Sequence, residues 1–354
     1  MVTFPFTRLI STIKKYNQLE REKKRRRRKK KEELTDKVVN DDGPPSNRLS
    51  PYIRPFVHAL QSAGHQVSVA IPAASRSWIG KAHLIEASLT ATYVPESAFR
   101  DDGSWDPAAP AGKPHAQWVV IANGTPASCV QLGLFNLFAD RGPIDLVISG
   151  PNHGRNASTV YNLSSGTVGG ALEAATCAHR AIAISFGSKD PQPAPVIDAA
   201  ARLASRLVSH LARTWDPRVE LYNLNVPMRA DVESRPVRYT RALPYHWTHG
   251  CLYAETQSNG RPSIEQESKE PNGDAHPTIN GVSHHDRHPS DDTTNPPLQQ
   301  RSFTWAAELS DMKKALQASP EGTDAQTVLS GYTRLVLSFL LLLSFGKEEE
   351  KKKS

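Results

Sequence analysis

Four short stretches hold the residues able to do chemistry. The first, NDDGPPS (residues 40–46), sets two carboxylates, Asp41 and Asp42, side by side. Adjacent like charges raise each other's pKa unless a cation or a shared proton intervenes. The others are ASRSWIGKAH (74–83), SGPNHGRN (149–156) and NLSSGTVGGA (162–171). Carboxylate, hydroxyl and amide oxygens suit a hard cation such as Mg2+, Mn2+ or Ca2+. Such an ion would relieve the repulsion, leave room for waters, and activate a water or clamp a phosphoryl group. No His/Cys set of the zinc type sits in these stretches. Glycines let backbone approach a ligand closely, and Ser-Ser-Gly-Thr opening a helix offers free N–H groups and a positive dipole end, suited to phosphate. Each stretch alone also reads as an ordinary turn.

The elements that must position them alternate. Ser50-Pro51 reads as an N-cap with proline in the first helical position. Ile53, Phe56, Val57 and Leu60 then mark one helix face, and Gly64 ends it. QVSVAI (66–71) and WVVIA (118–122) read as strands, and Thr125-Pro126 caps a helix expected to run to about residue 139. IDLVIS (144–149) is an apolar strand, 166–179 a helix, AIAISF (181–186) a strand, 195–213 a helix and VELYNLNV (219–226) a strand. This alternation predicts a parallel sheet covered on both faces. Its strand-to-helix loops gather at the carboxyl edge, where ligands bind. All four stretches fall on that edge.

The ends differ from the body. Residues 1–36 carry 13 Lys/Arg against 5 Asp/Glu and end in a charge block, a basic arm expected to be disordered or a solvated helix. The net charge of +7 belongs to the ends, and residues 37–346 are slightly acidic. A nucleic-acid or anionic-surface partner is therefore expected only through residues 21–31. Three scattered cysteines, Cys129, Cys177 and Cys251, argue against a disulfide framework and for a reducing, cytoplasmic setting. The sequons at Asn123, Asn156 and Asn162 follow no hydrophobic signal region and read as chance. Residues 254–300 are polar and rich in Pro, Asn, Ser and His, an insertion that cannot bury enough apolar surface to order itself. Its His284, His285, Asp286 and His288 read as composition rather than a metal site. Residues 301–332 re-enter the fold, and 333–354 form an atypical tail, apolar then charged. The 11-residue apolar run 335–345 is short for a membrane span, which needs about 20, and extending it back to Val328 reaches that length but includes Arg334. A membrane partner is not expected.

VVNDDGPPS, SRSWIGKA, NGTPASCVQLGL, DLVISGPNHGRN and SSGTVGGALEAA occur in this order. Together they resemble the survival protein SurE family, metal-dependent phosphatases of nucleoside monophosphates and related phosphoesters. LYNLNVP (221–227), VRYTRALPYHW (237–247) and EGTDAQTVLSGY (321–332) resemble later blocks of that family. The resemblance covers residues 37–253 and 301–332. It implies a Rossmann-like three-layer α/β domain with a protruding β-hairpin segment, assembled as a dimer or tetramer. It also implies a divalent ion, Mg2+ or Mn2+, held by Asp41, Asp42, Ser77 and Asn152. Phosphate would lie against Ser165, Gly166 and Thr167 and against Asn123, Gly124 and Thr125. Asp41 and Asp42 would be catalytic, as a base toward water or as a carboxylate nucleophile. His153 is a candidate for substrate or proton transfer, and His246 reads as structural. Haloacid-dehalogenase phosphatases, dinucleotide enzymes and P-loop enzymes are disfavoured, because Asp-x-Asp, the dinucleotide fingerprint and the Walker loop are missing.

The sequence departs from the family at both ends. Only Val38 and Val39 lead into Asn40, and Asp36 and Lys37 are costly in a buried strand. GYTRLVLSFLLLLSF stands where the family has Gly-Tyr-Val-Ser-Val-Thr-Pro-Leu. Both ends thus read as foreign sequence, and the alternatives are an impaired homologue or a protein that binds through its basic arm.

Overall fold

The computed structural model of the protein describes residues 34–109, 117–247, 251–256 and 301–338. The basic arm with residues 21–31, most of the polar insertion with its histidines, and residues 339–354 lie outside them. In chain order the elements are β1 (Thr35–Val39), α1 (Ile53–Ser62), β2 (Gln66–Pro72), β3 (Thr90–Pro95), β4 (Gln117–Ala122) and α2 (Pro126–Leu132). Then come β5 (Leu146–His153), α3 (Thr159–Ser164), α4 (Gly166–Thr176), β6 (Ala181–Phe186), α5 (Ala194–Arg213), β7 (Leu221–Val226) and β8 (Val237–Thr240). The last are β9 (Tyr253–Thr256), β10 (Ser302–Trp305), α6 (Ser310–Gln317), α7 (Asp324–Leu329) and β11 (Thr333–Ser338).

Continuous apolar runs become the buried parallel strands. The main sheet has nine strands in the order β3-β4-β2-β1-β5-β6-β7-β11-β8. Strand β1 pairs in parallel with both β2 and β5, and β3 and β11 run antiparallel to their neighbours β4 and β7. Side chains alternate across the strands, so the two faces need separate cover. Val38, Ile148 and Ile182 pack with α1 and α5 on one face. Val39, Val147 and Ala183 pack with α2 and α4 on the other. This is the three-layer Rossmann-like α/β architecture expected. From β1 the chain leaves over one face through α1, and from β5 it leaves over the other through α4. The strand order therefore reverses between β1 and β5, and a crevice opens at their carboxyl ends.

The charges of β1 meet partners distant in sequence, although Asp36 Oδ1 is buried without a hydrogen-bond partner among the described residues. Asp36 and Lys37 are fully buried. Asp36 Oδ2 meets His65 Nδ1 at 2.5 Å, and His65 Nε2 meets Ser209 Oγ at 2.7 Å. Lys37 Nζ donates to the carbonyls of Cys129 and Val130 at 2.5 and 2.8 Å. The Gly133 N–H also donates to these carbonyls at the helix end, and the lysine shares them. Its ammonium also lies 5.9 Å from the centre of the Phe138 ring. Burial pushes the Lys37 pKa down to about 7. Gly133 makes the room, since a Cβ there would sit 1.7 Å from Lys37 Nζ. At this point the helix expected to reach residue 139 stops at Leu132 and widens into a π turn over Gly133–Leu137.

Two further expectations change. Helix α1 starts at Ile53 with no side-chain cap. Ser50 instead braces the carboxylate loop, its hydroxyl accepting from Asn40 Nδ2 at 3.1 Å. The start of the apolar tail is not foreign to the fold, because Thr333–Ser338 is β11, inserted between β7 and β8. Its Arg334 is fully buried, with Nη1 3.3 Å from Asp324 Oδ2, and it also donates to the Asn156 carbonyl.

Residues 247–313 form a unit of their own. In it β9 and β10 pair as the antiparallel hairpin expected, fastened by a two-pronged Arg301–Glu255 ion pair and a Tyr253–Trp305 edge contact at 5.4 Å. Among the described residues no helix is long and apolar enough to cross a membrane.

Candidate active site

The carboxylate loop is shaped by its own residues. Asn40 Oδ1 accepts from the Gly43 N–H at 3.3 Å, and its Nδ2 donates to the Gly43 carbonyl at 2.8 Å. Such Asx hydrogen bonding closes a turn locally. Gly43 has φ +88, and a Cβ there would press on the Ala74 backbone at 3.1 Å.

Asp41 and Asp42 leave this loop into the crevice, 3% and 7% exposed. Asp41 is held from two sides. Its carbonyl accepts from the Arg76 N–H at 2.7 Å, and its Oδ1 accepts from the Thr167 hydroxyl at 2.5 Å. Asp42 Oδ2 accepts from the His153 N–H at the end of β5, at 2.8 Å. The pair is thus anchored to the β2 loop, to α4 and to β5.

Helix α4 comes close because its glycines let it. Ser165 caps it, accepting from the Val168 N–H at 3.1 Å. A Cβ on Gly166 would lie 2.8 Å from Asp41 Cβ. On Gly169 it would lie 2.2 Å from the Gly80 carbonyl oxygen, and on Gly170 2.6 Å from Ser149 Oγ. Of the three, only Gly166 abuts the carboxylates. The other two serve helix packing rather than the close ligand approach read from the sequence. The N–H groups of Gly166 and Thr167 lie in the first turn, where no intrahelical acceptor exists.

Ser77 and Asn152 adjoin the residues that hold the pair. Ser77 follows Arg76, is exposed, and has its hydroxyl 3.2 Å from Ser75 Oγ. Asn152 precedes His153 and is half-buried. Its Nδ2 donates to the Gly154 carbonyl at 2.9 Å, which leaves Oδ1 without a hydrogen-bond partner among the described residues.

The 123–125 turn is used differently. Asn123, at φ +56, is exposed and donates to the Ser88 carbonyl at 3.1 Å. The Gly124 carbonyl accepts from Arg76 Nε at 2.8 Å. Thr125 is fully buried, caps α2 through Ser128 N at 3.1 Å, and donates to the Ala82 carbonyl at 2.7 Å. Among the described residues neither the Asn123 nor the Thr125 side chain bonds to the carboxylate pair or to α4. This turn meets Asp41 through Arg76.

Burial sets the electrostatics. It raises the Asp41 pKa, against the pull of the Thr167 hydroxyl. It raises Asp42 well above the usual carboxylate range, and the Asp41 charge adds to the effect. Burial, then the Lys189 charge, lowers the His153 imidazole, which stands edge-on to Tyr52 at 5.1 Å. Sequence reading missed Tyr52, whose hydroxyl donates to the Ser188 carbonyl at 3.0 Å, and Lys189. Both lie in loops at the carboxyl edge, and the GSKD turn after AIAISF was the available signal for Lys189.

Two buried carboxylates that resist ionisation fit a divalent cation, which would offset the cost of burying their charges. The donor set of two carboxylates, a hydroxyl and an amide oxygen suits Mg2+ or Mn2+. Among the described residues no group of three or more His, Cys, Asp or Glu is gathered as a metal cluster.

A doubly covered, mostly parallel sheet with an acidic crevice at its switch point defines an α/β protein with a candidate site at the strand ends. A family model described as Survival protein SurE matches residues 37–249, more than half of the chain. The chain belongs to the SurE family. It is 35% identical over 201 residues to a 5'-nucleotidase SurE of Rhodopirellula baltica, covering 57% of this chain and 69% of that protein. It is 34% identical over 214 residues to a 5'-nucleotidase SurE of Nitratidesulfovibrio vulgaris, covering 59% and 74%. It is 38% identical over 216 residues to a probable tubulin–tyrosine ligase of Saccharomyces cerevisiae, PBY1, but spans only 28% of that protein's length. The crystal structure of a SurE protein from Aquifex aeolicus superposes with a TM-score of 0.55 at 22% identity, over 87% of this chain and 94% of that one, a likeness of fold.

Proposed function

We propose that the protein is a divalent-metal-dependent phosphomonoesterase acting on nucleoside monophosphates or related phosphoesters. Relatives named 5'-nucleotidase, 32–35% identical, support a nucleotidase or phosphatase. The observation that carries the finer reading is the buried Asp41–Asp42 pair, held between α4 and β5 by the Thr167 hydroxyl and the His153 N–H.

Asp41, Asp42, Ser77 and Asn152 would hold Mg2+ or Mn2+. When bound, such an ion supplies charge neutralisation and Lewis acidity. The chain supplies the rest. Thr167 and the His153 N–H fix both carboxylates before substrate arrives, and such preorganisation is the larger part of phosphoryl-transfer catalysis. The Gly166 N–H, at the positive end of α4, would donate to a phosphate oxygen, while the Thr167 N–H, like its hydroxyl, serves Asp41. Ser165 keeps that end in place through its cap. An Asp carboxylate would then either take a proton from the water that attacks phosphorus or itself attack phosphorus, the alcohol leaving in both cases and water releasing phosphate from the phosphoaspartate in the second. Trapping with hydroxylamine separates the routes, because only the nucleophile route forms a phosphoaspartate.

The test of the function is hydrolysis of p-nitrophenyl phosphate and nucleoside monophosphates with Mg2+ or Mn2+, and its loss with chelator. The same proposal includes a homo-oligomer, a dimer or tetramer, which sedimentation of the full chain measures. Salt-sensitive nucleic-acid binding that vanishes on removing residues 1–36 would favour the basic-arm reading instead.

A further inference from the structure

The Lys189 side chain lies against the turn after β5 although it is not part of the expected ligand set. It stands three residues beyond β6, whose Phe186 is in register with His153 of β5. The Gly154 N–H donates to the Phe186 carbonyl at 3.0 Å, which lays the turn after β6 against the turn after β5. The Lys189 stem lies over Gly154. A Cβ built on that glycine would sit 3.3 Å from Lys189 Cε and 3.4 Å from Cγ. Gly154 is also the residue whose carbonyl orients Asn152, and it follows the residue whose N–H holds Asp42.

The same Cβ position lies 3.7 Å from Asn152 Nδ2, so the lysine stem and the Asn152 side chain meet over Gly154. Two cations of the neighbouring loops are committed elsewhere, whereas Arg155 is exposed and lies against Gly187 of the same turn. Arg76 donates to the Gly124 carbonyl at 2.8 Å, and Lys81 pairs with the buried Glu173 at 2.6 Å. Lys189 is exposed and makes no ion pair among the described residues.

A charge count says what this cation is for. A divalent ion is balanced by Asp41 and Asp42. A phosphomonoester dianion then adds two negative charges, against which α4 offers the equivalent of about half a positive charge. Lys189 supplies a full one.

We propose that Lys189 is a phosphate-contacting catalytic residue, its ammonium meeting a non-bridging oxygen of the phosphomonoester from the β6 side of the crevice. This rests on the phosphomonoesterase reading. A positive group aimed at the transferring phosphoryl stabilises the charge spread over its oxygens. Gly154 is part of the device, because a side chain there would displace the lysine stem.

The experiment compares the full-length wild type, Lys189→Ala and Lys189→Arg in Mg2+. Inorganic phosphate binding is measured by calorimetry and p-nitrophenyl phosphate hydrolysis by kinetics. Lys189→Ala is expected to weaken phosphate binding about tenfold and lower kcat/KM about 10²-fold. Lys189→Arg should keep most of both, and the melting temperatures of all three should agree. An active wild type with Lys189→Ala equally active and equally able to bind phosphate overturns the Lys189 assignment and leaves the phosphatase reading standing. A wild type that binds phosphate through Lys189 yet hydrolyses no ester supports the assignment and overturns that reading. A wild type that does not bind phosphate overturns both.

Discussion

The Thr167 hydroxyl donates to Asp41 Oδ1 at 2.5 Å, joining residues 126 apart in the chain. This bond ties the start of α4 to the loop after β1, and so fixes the spacing between a helix N-terminus and a carboxylate. Thr167→Val keeps the shape and removes the donor. It is expected to destabilise the protein by about 1–3 kcal/mol, the cost of losing a buried hydrogen bond to a charged group. Activity should fall about tenfold or more, and Thr167→Ser should restore most of both. Denaturant unfolding and p-nitrophenyl phosphate kinetics check it.

Asp42 trades stability for chemistry. Its folded pKa is raised, by burial first and Asp41 second. In the metal-free protein its favourable contribution is therefore complete below the unfolded carboxylate pKa. It is lost as pH rises through the raised folded value. Metal-free Asp42→Asn should melt above metal-free wild type at pH 7, by about 2–4 °C for each kcal/mol relieved. Mg2+ or Mn2+ should raise the melting temperature of wild type and leave that of Asp42→Asn unchanged. Thermal melts with and without chelator decide it.

Lys37 gives a pH signature from the middle of β1. Burial lowers its pKa from 10.5 to about 7. Between these values the unfolded chain holds a proton that the folded state has released, so the Lys37 contribution to stability rises with pH. The unfolding free energy of wild type minus that of Lys37→Met should grow from pH 7 toward pH 10, and a flat difference contradicts this. Gly133→Ala should destabilise by roughly 1–3 kcal/mol, because its methyl falls on the lysine head group.

The edge of the sheet beyond β7 depends on Arg334. Its guanidinium and the Asp324 carboxylate are both fully buried, and that carboxylate also accepts from the N–H groups of Ser158 and Leu243 at 2.9 Å each. Arg334→Ala leaves a buried carboxylate without its cation and should cost about 3–5 kcal/mol. A chain ending at Tyr332 should melt well below one ending at Ser338, since it lacks β11.

What was legible in the sequence follows from what is local. The apolar runs of β5 and β6 and the face Ile53, Phe56, Val57, Leu60 announce themselves, because burial on both sides or on one side writes its own period. The loops at the carboxyl edge follow from the alternation, and the family resemblance supplied the ligand set. Asp36 and Lys37 misled because charge in a strand reads as solvent exposure, while the groups that meet them, His65 and the Cys129 and Val130 carbonyls, come from elements far along the chain. The strand β11 was hidden at the start of an apolar run whose pairing with β7 spans more than a hundred residues. The glycines of GTVGG suggested a ligand, and Gly169 and Gly170 instead meet Gly80 and Ser149, contacts no local pattern encodes.

The measurement that bears most directly on the central claim is hydrolysis of nucleoside monophosphates by wild type and Asp42→Asn, with Mg2+ or Mn2+ and with chelator. The expected result is phosphate release by wild type that stops with chelator, returns on adding the ion, and falls about 10³-fold or more in Asp42→Asn. Undiminished hydrolysis in chelator, or by Asp42→Asn, would contradict the account.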